Sequence, residues 1–362
     1  MYRILPPPST HNRITTNPPE TSTISRTAPH LDVNLAAPEV TVWTSPARAA
    51  TAGRILDLMA GAVRPLGVGG PRSAEVERLS QELDCPADND LRQLLVDRPA
   101  AYLLVTSMRD VRIADLRTAV DAGTRVLCLE PAAAEIAEVG AADTPGHPGA
   151  IRFFPAFTQS PGLIAAADPA ELHHSPSLVR FSSHGRPDEG SLLARLLDGW
   201  ITTLPFSALP ETIDAHLHQP GGPSRRTFKP RAIGGWLTAH GRTADGGAVL
   251  LEASDRALVP RRELALLNAA ADAQIDDASY RLHPAPPAGP DNDMPPPETG
   301  GDPSARPSYA DLVANQWRRW IDRPAPPIPP ALIAQALACI HACLLSARTG
   351  QAESPAKLLR LG

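Results

Sequence analysis

The chain has 362 residues, 43% of them hydrophobic, with a net charge of -5 and a pI near 6.1. That is material for two cored domains, and because no segment gathers lysine and arginine into a stripe, it excludes a surface built for nucleic acid or anionic membrane. Forty-one prolines cluster in the first residues, over 284–307 and over 324–330, where they mark tails and loops rather than sheet interiors.

Residues 1–38 are rich in serine, threonine, proline and asparagine and have no hydrophobic period, so they are expected to be a disordered tail. Over 39–150 strands and helices alternate. EVTVWT from Glu39 is the first buried strand, and a helix from Arg48 to Met59 follows with Ile55, Leu56 and Met59 on one face. Val63 to Val68 is a second strand, Ser73 caps a helix whose inner face is Val76, Leu79 and Leu83, and Leu91 to Val96 is a short helix. The central βαβ unit is AYLLVTSMRDVRIADLRTAVDAGTRVLCLEP, Ala101 to Pro131. Its strands are Tyr102 to Val105 and Val126 to Leu129; its helix turns Ile113, Leu116, Ala119 and Val120 inward and Arg112, Asp115, Arg117 and Asp121 outward, and Gly123 ends it. This grammar predicts a doubly wound parallel sheet of Rossmann type, with ligands expected at Thr106-Ser107 and Glu130-Pro131, the carboxyl ends of the strands.

Over 151–362 the pattern changes to an α+β domain with a mostly antiparallel open sheet. Strands are expected at Ile151 to Phe157, Thr212 to Leu217, Gly234 to His240, Ala248 to Ala253 and Glu263 to Asn268, with a helix from Ser191 to Leu204. Pro284 to Pro307 is a low-complexity loop. Helices at Tyr309 to Ile321 and Pro330 to Arg348 close the chain and are expected to reach back to the first domain; Leu332, Ile333, Leu337, Ile340 and Leu344 form the core stripe of the last. No run is read as a membrane span and the first residues lack the apolar core of a secretion signal, so the protein is expected to be cytoplasmic. Cys85, Cys128, Cys339 and Cys343 fit reduced thiols better than a disulfide framework.

Three stretches are similar to the Gfo/Idh/MocA family of glucose-fructose and inositol dehydrogenase-like oxidoreductases: the βαβ unit above, EGSLLARLLDGW, and the closing ALACIHACLLSARTGQ. The resemblance implies a dinucleotide-binding domain followed by an open-sheet domain used for substrate and oligomer contacts. It places the cofactor-binding positions at Thr44, Ser45, Arg48, Arg72, Thr106, Ser107 and Pro131, and the catalytic positions at Glu130 and Asp198. The chain departs from the family at each. Its glycine-rich turn is WTSPARAATAG, in which Pro46 removes an amide hydrogen and alanines add side chains. The acidic residue after the second strand is absent, and Arg72 stands there, able to accept a ribose phosphate. Glu130 replaces the catalytic lysine and Asp198 the histidine. Glycines, lysine and histidine act as a unit in hydride transfer, so their joint loss points to a non-catalytic binding or partner subunit with no cofactor. The alternative is an NAD(P)-dependent sugar or polyol oxidoreductase using Glu130 and Asp198 in altered roles. Partners implied are a carbohydrate-like ligand, a second copy, or an intact family member.

Other residue patterns carry less. Were Glu130 and Asp198 to converge, their repulsion would favour a bound proton, metal or cationic ligand, but no metal set is assigned. His216 and His218 share a strand face without a third ligand; His173-His174 and His184 fall in loops. Cys339 and Cys343 share a helix face from which His341 points away, the pattern of core packing. Trp317 and Trp320, flanking Arg318 and Arg319, suit either a partner-binding face or packing on the sheet.

Overall fold

The computed structural model describes residues 37–143, 146–167, 176–219, 229–269, 271–285, 296–322 and 326–361. Most of the expected tail, the pair His173-His174 and the middle of the proline-rich loop lie outside them. Of the first domain, β1 is Glu39–Trp43, α1 Ala49–Leu58, β2 Arg64–Gly69, α2 Ala74–Glu82, β3 Ala87–Asp88, α3 Leu91–Asp97, β4 Tyr102–Val105, α4 Ile113–Asp121, β5 Arg125–Cys128, α5 Val139–Ala142 and β6 Ile151–Phe153. These strands form an all-parallel sheet in the order β3-β2-β1-β4-β5-β6, so the order reverses between β1 and β4. That reversal is the topological switch point of a Rossmann sheet. Ser73 caps α2 as expected, its hydroxyl accepting from the Val76 amide at 3.2 Å. One face differs from expectation. Asp115 of α4 is 8% exposed and takes a 2.7 Å hydrogen bond from Arg92 Nε, because α3 packs over what would otherwise be a solvated flank.

The second domain continues with α6 Pro161–Ala165, β7 Leu178–His184, α7 Leu192–Thr203, β8 Thr212–His218, β9 Trp236–Arg242, β10 Ala248–Ser254, β11 Arg261–Leu267, β12 Ala271–Asp276, β13 Ser279–Pro284 and β14 Glu298–Gly301. They make an eight-stranded sheet, β14-β13-β12-β11-β7-β10-β9-β8, antiparallel except where β10 meets β7. Four of these strands, β7, β12, β13 and β14, were not expected, and β14 lies inside the stretch read as a loop. It is an edge strand, secured by the Tyr280 hydroxyl donating to Glu298 at 2.7 Å. Conversely β6 stops at Phe153 rather than Phe157: Pro155 has no amide to give the ladder, and the Phe157 amide is spent on the Asp198 carboxylate.

Three closing helices follow, α8 Tyr309–Asp322, α9 Pro330–Thr349 and α10 Pro355–Leu361. In α8, Trp317 and Trp320 are buried against the first sheet, where both meet the Tyr102 ring edge-on at centroid distances of 6.0 and 5.8 Å. They are core residues, so a partner-binding face made of them is excluded; only Arg318 and Arg319 reach solvent. Contrary to the sequence reading, α9 is long and apolar enough by composition to cross a membrane, but half of that stretch is buried inside the fold, the mark of a core helix. It covers β8 and α7, and Gly350 ends it in the left-handed region, φ 69°. Burial pushes the Cys343 thiol up to about 12, and Cys339 beside it likewise rises, while His341 turns aside to bond the Ala134 carbonyl at 3.0 Å.

Candidate functional site

The carboxyl ends of β1 and β4 carry Thr44 and Thr106, both fully buried, and a 2.7 Å hydroxyl-to-hydroxyl bond joins them across the switch point. After Thr44 the chain turns through Ser45 into a single 3-10 turn, Pro46–Arg48, before α1 begins. Pro46 sits at the first position of that turn, where a phosphate-binding loop would present an amide. The turn aims Arg48 inward. Its guanidinium, 6% exposed, donates to the Thr106 carbonyl at 3.2 Å and to Glu130 Oε1 at 2.5 Å, bridging the ends of β1, β4 and β5. The loop after β2 closes the other side: a Cβ on Gly70 would collide with the Thr44 carbonyl, so the two backbones touch there.

The second domain covers this edge. Residues 185–190 run from β7 to α7, and the Asp188 carbonyl accepts from the Thr51 hydroxyl of α1 at 2.9 Å. Arg195 of α7, 4% exposed, holds the strap from beneath, donating to the Arg186 carbonyl at 3.1 Å with Glu189 at 3.7 Å; a side chain at Gly185 would collide with its guanidinium. Arg262 of β11 lies nearby and pairs through Nε with Asp277 at 3.0 Å. Together with Asp198, Glu189 and Tyr309 these arginines line a cavity of about 20 Å³ between the domains. Burial lowers the Arg195 guanidinium to about 10, with the Arg262 charge adding to the effect. Burial likewise raises Asp277, opposed by Arg262.

Asp198 is buried in α7, and its carboxylate oxygens accept from the Phe157 amide at 3.1 and 3.3 Å. Burial pushes it up to about 7 from 3.8, against the pull of the Phe157 amide and Arg262. The folded state therefore holds a proton between those values that the unfolded chain has released, so stability is full below 3.8 and falls as pH rises toward 7. Asp198→Asn keeps the carbonyl acceptor and removes the titration. In urea unfolding from pH 4 to 8, the variant should gain stability over the parent with rising pH, by a few kcal/mol at most, at about 1.4 kcal/mol per pH unit. Parallel curves for the two proteins would contradict this.

The positions named from sequence thus divide. Thr44, Arg48, Thr106 and Glu130 meet at the switch point; Ser45 flanks it, Ser107 turns to accept from the Arg109 amide, and Pro131 gives its carbonyl to Arg231 at 2.8 Å. Arg72 is exposed on the loop after β2 and has no part in the cluster. Glu130 is taken up by Arg48, whereas Asp198 accepts from the Phe157 amide and lines the cavity between the domains, whose lining does not include Glu130. No cluster of metal-ligating side chains occurs among the described residues. Sequence reasoning missed Arg195 and Arg262. The signals were present: Arg195 interrupts a helix that is apolar all round, and in RRELALL the alternation that turns Leu264 and Leu266 inward turns Arg262 inward too.

This architecture is that of the Gfo/Idh/MocA-type dehydrogenases, a Rossmann-like domain joined to a mostly antiparallel sheet. The likeness is structural. UDP-N-acetylglucosamine 3-dehydrogenase GnnA from Acidithiobacillus ferrooxidans is 13% identical, covering 86% of this chain and 98% of its own, with a TM-score of 0.63. Levoglucosan dehydrogenase in complex with NADH and L-sorbose is 13% identical over 87% of this chain and 98% of its own, TM-score 0.64. An NAD binding oxidoreductase from Klebsiella pneumoniae is 13% identical over 88% and 99%, TM-score 0.64. No family model matches the sequence, and no curated protein matches it.

Proposed function

We propose that this chain is a non-catalytic, cytoplasmic relative of the NAD-dependent sugar and polyol dehydrogenases, acting as a binding or partner subunit. The observation that carries the reading is Arg48: its guanidinium, bonded to the Thr106 carbonyl and Glu130, occupies the switch-point edge where a pyrophosphate and nicotinamide would lie. Pro46 withdraws an amide from the same place, and the strap anchored at Thr51 covers it. These residues do not fit a dinucleotide. Glu130, neutralised by Arg48, is poorly placed to take a substrate proton. A small carbohydrate-like ligand, a second copy, or an intact dehydrogenase of the same fold would meet the outer face of the eight-stranded sheet, where Trp236 is 43% exposed.

A second reading keeps catalysis, and Asp198 favours it: a buried carboxyl held at about 7 beside a cavity has the proton affinity of a general base. The two readings separate in one assay. Purified protein is incubated with NAD+ or NADP+ and a panel of aldoses, inositols and nucleotide-linked sugars. The expected result is no change in nicotinamide absorbance; protein-dependent reduction abolished by Asp198→Asn would establish the second reading instead.

A further inference from the structure

The cavity between the domains carries an inference that does not depend on whether a dinucleotide binds. Arg195 Nε, Arg262 Nη1 and Ser183 Oγ are all buried without a hydrogen-bond partner among the described residues, and all three side chains line the same 20 Å³ space. Arg195 and Arg262 are 4% and 3% exposed. A guanidinium nitrogen only donates, and leaving such a donor unmet in a buried place is costly, the more so for a charged group. The space suits a single small occupant rather than a sugar. We propose that this cavity is a binding site for a single halide-sized anion, chloride in the cell, held by Arg195, Arg262 and Ser183.

The surrounding charges set the condition under which an anion is tolerated. Arg262 on β11 faces Asp277 after β12; Arg195 on α7 faces Glu189 in the strap; Tyr309 comes from α8, Arg48 from the turn before α1, and His184 of β7 lies beside Arg195. Asp198 shares a helix with Arg195 and completes the wall. When Asp198 carries its proton, each guanidinium is matched by one carboxylate, Arg48 by Glu130, so no surplus negative charge opposes an anion, and the atoms left unmet at the lining are the donors of Arg195, Arg262 and Ser183. An anion is then the complementary occupant. When Asp198 ionises, its charge opposes the anion. Halide binding is therefore coupled to proton uptake and strengthens as pH falls through the range in which Asp198 titrates.

The test is a crystal grown with bromide and read by anomalous scattering. A bromide peak in contact with Arg195 Nε and Arg262 Nη1 supports the site; a water there, with bromide present in the crystal, overturns it. In solution, chloride should raise Tm by at least about 2 °C relative to gluconate at equal ionic strength, more at pH 6 than at pH 8. Ser183→Ala removes one donor without touching the charges, and should shrink that shift while leaving Tm in gluconate close to the parent value. Equal Tm in both salts at both pH values would overturn the proposal.

Discussion

Arg48→Ala should lower the free energy of unfolding by about 3–5 kcal/mol, the cost of breaking a buried ion pair by removing one partner. The guanidinium satisfies Glu130 and the Thr106 carbonyl together, and both are left under a covering strap when it goes. The double variant Arg48→Met, Glu130→Gln fills similar volume and leaves no unpaired charge, so it should recover most of the loss. Urea unfolding measures both. A loss below about 1 kcal/mol for Arg48→Ala would mean that the pair behaves like an exposed one and that the edge is open in solution.

The second large effect belongs to Arg195. Arg195→Met keeps the stem inside α7 but strands Glu189 and the Arg186 carbonyl, and should cost about 3 kcal/mol on the same reasoning. The loss is also local. Because Arg195 supports residues 185–190 from below, amide hydrogen exchange should speed up in that strap and at the start of α1, which it touches through Thr51, while β10 and β11 keep their protection. Exchange raised equally across both sheets would show global destabilisation and contradict a specific role in holding the strap.

These effects rest on residues whose chemistry the sequence only half discloses. The βαβ unit was readable because its strands are buried on both faces and its helix has a clean apolar stripe, so local pattern and tertiary environment agree. β12 and β13 were not, because their inward residues include Ala271 and Ala273 and their outward ones Asp272, Gln274 and Arg281, too weak an alternation to stand out. β14, ETGG, has no strand propensity of its own and is held by its neighbour. The switch point shows a different limit. WTSPARAATAG shows a turn with a proline and alanines where a glycine-rich loop would lie, but the destination of Arg48 depends on Glu130, 82 positions away, and no local pattern encodes that pairing. Glu130 reads in isolation as a candidate base; beside Arg48 it is half of a structural ion pair. Asp198 moved the other way, from a replaced histidine to a buried carboxyl with its own amide donor.

On the proposed function, the chain's own side chains close the dinucleotide edge. Isothermal calorimetry of the purified protein with NADH and with NADPH reads that closure. The closed edge predicts no saturable heat with either nucleotide up to about 1 mM, a concentration that corresponds to roughly -4 kcal/mol of binding free energy. Saturable one-to-one binding of either nucleotide, weakened by a substitution at Thr44 or Thr106, would contradict it.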